Sequence, residues 1–269
     1  MTNYKYNYSF DSVSEFAEYV DKLPHSDYDT SQAKRAASWC TMDYADTMAR
    51  AKRGGDFPEG AQALAEVDMD LSGDDGAEKL GLRRNVVGFM PDVPAYLSGE
   101  PLNMLEARPI ANPKKFIKVG FHPHQVSHVT TQQVLNRGRA VLAVLDALAL
   151  EGFAIELWMV DVNDSSDSQC VTKVKDSDTP WNADSAAFFL ADASFARRLL
   201  FRFLEGHDEL KDICNNGYGR SNNPPSDELE FDVYFPWFKG AHCDTEKEAF
   251  EYYLQEFKDQ AGIKTAEGL

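Results

Sequence analysis

No stretch of this sequence approaches the roughly 20 consecutive apolar residues that a membrane-spanning helix needs. The N-terminus, MTNYKYNYSFDS, carries no basic region followed by an apolar run, so no secretory signal peptide is expected. The four cysteines, Cys40, Cys170, Cys214 and Cys243, stand singly without a CxxC pair. That pattern excludes a zinc ribbon and reads as reduced thiols in a cytosolic protein. Also missing are the GxxxxGK[ST] phosphate loop, GxGxxG, the GxSxG nucleophile elbow and HExxH. Positive charge is scarce: 27 Lys and Arg face 44 Asp and Glu, a formal net charge of −17. Such an excess repels polyanions at long range and by itself opposes generic DNA binding, where phosphate neutralisation dominates affinity.

What is present is ample core material, with 43% hydrophobic and 12% aromatic residues in 269. The charges are also unevenly distributed. Acidic residues gather in DMDLSGDDG (68–76), DVNDSSD (161–167) and SDELEFD (226–232), and basic ones in ARAKR (49–53), RPIANPKKFIK (108–118) and ARRLLFR (196–202). A chain polarised in this way can hold nucleic acid locally while staying acidic overall.

Periodicity divides the chain into four parts. Residues 1–72 read as an N-terminal helical region, with helices at 9–23, within 31–55 and at 58–71. Residues 73–113, rich in Gly, Pro, Asn and Asp, read as a connecting segment. From 114 to 240 the pattern becomes strand (115–122), long helix (128–152), strand (153–162), strand (169–175), long helix (182–206) and strand (228–235). That βαββαβ order predicts an α+β fold built on a ferredoxin-like unit. Residues 241–269 add an amphipathic helix at about 244–261 and a tail.

Strand alternation assigns the faces. Ile117, Val119, Phe121, Ile155, Leu157 and Met159 are expected to point at the helices, leaving Phe116, Lys118, His122, Glu156 and Trp158 on the other face. Lys173, Lys175 and Tyr234 are placed on that second face as well. Aromatic rings mixed with cations suit single-stranded nucleic acid, which stacks its bases on the rings. The blander reading comes first, however: the N-terminal helices must bury their apolar sides, and this sheet face is the obvious place.

FHPHQVSH (121–128) holds three of the six histidines, His122, His124 and His128. Pro123 interrupts the strand between the first two, and no acidic or Cys residue in the stretch completes a metal site. Solvated or capping histidines are expected, with no bound metal and no cofactor. Gly138, between Arg137 and Arg139 within a helix, costs about 1 kcal/mol relative to Ala and suggests a close approach by another chain or by a backbone.

Three segments, SWCTMDYADTMARAKRG (38–54), NRGRAVLAVLDALALEGFAIEL (136–157) and DSAAFFLADASFARRLLFRFLE (184–205), together resemble a family of phage proteins. One member type is the single-stranded-DNA-binding RNA polymerase cofactor (Drc type) of podoviruses that carry a virion RNA polymerase. The resemblance implies a non-enzymatic protein of the host cytoplasm that captures single-stranded DNA and assists a phage-encoded RNA polymerase, with self-association left open. It does not extend to an acidic tail, since the chain ends AGIKTAEGL. The residues expected to bind DNA are Arg50, Lys52, Arg53, Lys114, Lys115, Lys118, Arg137 and Arg139, with Trp158, Lys173 and Tyr234 as a second set. Two rivals stay open: an acidic protein-interaction or inhibitory module, and a metal-dependent hydrolase using the histidines with Asp161 or Asp164.

Overall fold

YNYSF alternates as a strand should and forms β1 (Tyr6–Phe10), followed by helix α1 (Val13–Asp21). Ser12 caps α1 by accepting the Glu15 N–H at 3.1 Å, and Val13, Phe16, Ala17 and Val20 make its buried stripe. Helix α2 (Tyr44–Lys52) is capped by Asp43 and ends at Gly54 and Gly55, both at positive φ. The computed structural model describes residues 4–24, 40–55, 80–87, 90–109, 116–164, 166–210 and 224–261. The expected helix at 58–71 lies outside the described residues.

Residues 71–115 form a compact unit of their own. It contains β2 (Leu80–Asn85), β3 (Met90–Pro91), α3 (Val93–Leu97) and β4 (Met104–Pro109), with the three strands antiparallel in the order β2-β4-β3.

The second unit joins the N-terminal elements to everything from Phe116 onward. Strand β5 (Phe116–Phe121) leads into α4 (Thr131–Leu150), whose first turn is closed by a capping box between Thr130 and Gln133. Gly152, at φ 83°, ends that helix as its sequence position predicts. Strands β6 (Ala154–Asn163) and β7 (Ser168–Lys175) make a hairpin. The next helical stretch, read as continuous from 182 to 206, is broken. Helix α5 (Ala183–Leu190) stops, Asp192 accepts the Ser194 N–H at 2.6 Å, and the chain resumes as a π-helical segment (Phe195–Leu200) running into α6 (Phe201–Glu205). A three-residue strand, β8 (Val233–Phe235), and helix α7 (Glu246–Ala261) complete the unit.

The five strands run β1-β7-β6-β5-β8, with β5 parallel to both β6 and β8, β7 antiparallel to β6, and β1 parallel to β7. The fold is therefore mixed α/β. The ferredoxin-like expectation is corrected by the pairing. A split βαβ places a strand between its two parallel strands, whereas here Val119 pairs directly with Leu157 across β5 and β6. The fourth strand is also shorter than the alternation of 228–235 suggests. Asp232 accepts the Lys118 N–H through its side chain at 2.7 Å, and only the last three of those residues join the ladder.

The described helices of this unit occupy one side of the sheet, and the 3-10 turn after α6 (Asp208–Leu210) packs there too through Leu210. Ile117, Val119, Phe121, Ile155 and Leu157 pack with α4, α5 and α7, as their alternation predicts. Met159, on the same parity of β6, packs with α1, α2 and the π-helical segment. The opposite face forms a small cluster of Tyr4, Val160, Val162 and Val171 with Trp158, Leu229, Phe231 and Tyr234, and no residue of it is helical. The expectation that N-terminal helices cover this face fails for α1 and α2. Phe16 of α1 meets Phe195 of the π-helical segment and Phe203 of α6 instead, with ring centroids 5.6 Å and 5.8 Å apart.

Gly138 is explained by the interior. A Cβ there would lie 2.2 Å from the Leu190 carbonyl oxygen, so the glycine admits the backbone at the end of α5.

Candidate functional site

The open sheet face is organised around Trp158, which β6 presents half-buried. The ammonium of Lys118, from the neighbouring strand β5, lies 5.5 Å from the indole, and that of Lys173, from β7, lies 5.2 Å from it. Both distances are within reach of a cation–π attraction. Register puts these residues together: Trp158 is directly opposite Lys173, and Lys118 is opposite Glu156, two residues away on the same face. The indole N–H donates to Glu156 Oε1 at 2.6 Å and so fixes the ring's orientation. Lys118 also sits 5.2 Å from the Phe231 ring, and Phe116 at the start of β5 is 54% exposed.

Beyond this platform Phe231 and Tyr234 stack at 6.0 Å over Gly120, where a Cβ would approach Tyr234 Cδ2 to 2.9 Å. Gly120 thus lets two rings lie flat on the sheet. Burial drives the Tyr234 hydroxyl well above its ordinary range, and the ring acts as a cover for the lower face. Lys173 holds Asp176 at 3.0 Å, which lowers that carboxyl and raises the lysine through their hydrogen bond.

The remaining expected binding residues that the structure describes do not converge on this face. Lys114 and Lys115 lie outside the described residues. Arg50, Lys52 and Arg53 belong to α2 and its C-cap, in the helical layer, and Lys52 bonds Asp21 at 2.7 Å. Arg139 pairs with Glu246 of α7. Arg137 is corrected outright: it is 3% exposed and cannot reach a DNA strand. Its guanidinium lies 4.2 Å over Phe121 and donates to the carbonyls of His122 at 3.0 Å and Pro236 at 2.7 Å. It ties together the ends of β5 and β8.

Those strand ends hold the second polar assembly, at the place where the chain order reverses between β5 and β8. The expectation of solvated or capping histidines fails for His122 and His124, which are 0% and 3% exposed, while His128 is exposed. His122 Nδ1 accepts the His124 backbone N–H at 3.2 Å, and Nε2 lies against both the Val162 carbonyl at 3.3 Å and the Val162 N–H at 3.4 Å. Burial pushes His122 down to about 3, against the pull of Asp161. Asp161 is itself buried, with Oδ1 3.2 Å from His124 Nδ1 and 4.0 Å from His122 Nε2. Burial alone would raise this carboxyl, but His124 and then His122 outweigh it and hold the group below the usual carboxylate range. The cluster was half-legible. The histidines stand out in the sequence, but Asp161 is 37 residues beyond His124 and joins them only through the β5–β6 pairing. Among the described residues no group of three or more His, Cys, Asp or Glu side chains is arranged to hold a metal ion.

Among the described residues no helix is long and apolar enough to cross a membrane. A family model described as "Domain of unknown function (DUF7192)" matches residues 1–264, and the chain belongs to that family. No curated protein and no solved structure matches the chain.

Proposed function

We propose that this member of the family binds single-stranded DNA, with little regard to sequence, across the face of its main sheet that no described helix covers. The observation that carries the reading is the Lys118–Trp158–Lys173 arrangement, with cations 5.5 Å and 5.2 Å from one half-buried indole. A base stacking on Trp158 brings its flanking phosphates to those ammonium groups. Stacking of this kind contributes about 1–3 kcal/mol per base, enough for a few rings to offset an unfavourable overall charge. Glu156 and Asp232 lie on or beside the same face and reduce its positive potential. Binding is therefore weighted toward stacking, with a shallow dependence on salt. Work beside a phage-encoded RNA polymerase in the host cytoplasm is part of the proposal on the strength of the resemblance of residues 38–54, 136–157 and 184–205 alone.

The test is a fluorescence-anisotropy titration of the full chain with a labelled oligonucleotide, single-stranded and then duplexed, at low and moderate salt. Saturable binding of the single strand with markedly weaker duplex binding is the expected result. No binding of the single strand at either salt would remove the proposal and favour an acidic protein-interaction module.

A further inference from the structure

Beside the platform, a cavity of about 290 Å³ opens between the end of β7 and the starts of α1 and α5. Lys173 belongs to both places, lining the cavity while its ammonium stands 5.2 Å from the Trp158 ring. A ligand on the platform is therefore one side chain away from this space. The volume corresponds to roughly ten waters at about 30 Å³ each, room for one nucleobase and little more.

The lining decides the chemistry. Its charged members are Asp11, Asp176, Lys173 and Lys175, two of each sign, so the cavity offers no net attraction to a phosphate. Lys173 is shared between Asp176 and the Trp158 ring, and Lys175 is bonded to the carbonyls of Ile155, Asp176 and Thr179 at 2.7–3.0 Å. Val174, Pro180 and Ala186 supply apolar wall, while Asp11, Ser12, Thr179, Asn182 and Ser185 are polar members of the lining, Asp11 being its one carboxylate without a lysine partner among the described residues. A neutral, flat, polar molecule fits this balance. The carboxylate accepts hydrogen bonds and cannot donate, so it favours a base with an exocyclic amino group. Cytosine carries one; thymine presents a carbonyl oxygen at the same position.

We propose that this cavity receives one base of the bound strand and prefers an amino-bearing base, with Asp11 accepting from the amino group. The inference rests on the open-face reading and adds a base preference at a single position to it. Oligo(dC) and oligo(dT) of equal length, both pyrimidine strands, are titrated against the full chain and against D11A, S185W and W158A. The wild type is expected to bind oligo(dC) about tenfold more tightly, the effect of roughly one good hydrogen bond to a charged group. D11A, which removes the acceptor, and S185W, which fills the cavity, each abolish the difference while oligo(dT) affinity stays near wild type. W158A weakens both strands together. Tight but equal binding of the two strands by the wild type, or a preference that survives in D11A, overturns the cavity assignment and leaves the open-face reading standing. Absence of binding to either strand overturns both.

Discussion

Trp158 and Lys173 face each other across the antiparallel pairing of β6 and β7, indole to ammonium at 5.2 Å. The ring is held from one side by Glu156 and attracted by two cations, so it is preorganised for stacking before any ligand arrives. Replacing Trp158 by Ala is expected to weaken single-strand affinity by about 1–3 kcal/mol, tenfold or more, while W158F retains most of it. Anisotropy titrations of the two variants check this, and equal affinity of W158A and wild type would sink the platform.

Lys173 divides its charge between the ring and Asp176. Asp176→Asn therefore releases the lysine toward a phosphate, and the variant is expected to bind single-stranded DNA more tightly than wild type at low salt. Lys173→Ala moves the other way and lowers the salt slope by about 0.7, the value for one single-strand phosphate contact. Two salt titrations read both effects. A D176N variant with weakened affinity would show that the pair serves the loop and not the ligand.

His122 makes stability depend on pH. Its folded-state value of about 3 lies far below the ordinary 6.5. Between those values the unfolded chain takes up a proton that the folded chain refuses, so stability is complete above about pH 6.5 and falls as the pH drops toward 3. The slope from this one group approaches about 1.4 kcal/mol per pH unit. Asp161, with its carboxyl lowered, acts at still lower pH: its contribution is present above the ordinary carboxylate value and disappears as the pH falls through the folded one. His122→Asn is expected to be less stable at neutral pH and to show a flatter loss between about pH 6.5 and 4.5 in urea unfolding. An unchanged slope would mean that the imidazole does not stay neutral.

Gly138 meets the Leu190 carbonyl where a Cβ would come to 2.2 Å. Gly138→Ala must push α5 away from α4 and is expected to destabilise by about 1–3 kcal/mol, as overpacking of an interior does. Thermal unfolding measures the loss. DNA affinity of the variant below its transition should match wild type, because the contact lies in the helical layer on the far side of the sheet.

Arg137 and Arg139 show how far local pattern reaches. Both read as solvent-facing cations on a long helix, and Arg139 does pair at the surface with Glu246. Arg137, two residues earlier, faces inward because the ends of β5 and β8 leave carbonyls that need donors, and its five N–H groups supply them. Helical spacing puts Arg137 on the buried stripe, three residues after Val134 and four before Val141, and Arg139 off it, but residue type alone read both as cations for solvent. The same limit applies to the broken 182–206 stretch, where Asp192 and Ser194 end a run that composition alone continues as one helix.

The sequence alone determined what is local. The alternation of 115–122 and 153–162 set which side chains face the helices, Gly152 marked the end of the long helix, and Trp158 was assigned to the face opposite the core. These follow from backbone periods of two and 3.6 residues and from capping chemistry, which need only neighbouring positions. The tertiary structure decided what is long-range. It made β5 and β6 direct parallel neighbours, brought β1 to the far edge beside β7, left α1 and α2 on the helical side, and gathered Asp161 with His122 and His124. Strand order and helix placement depend on how several amphipathic elements bury their surfaces against each other at once, a competition that no single segment encodes.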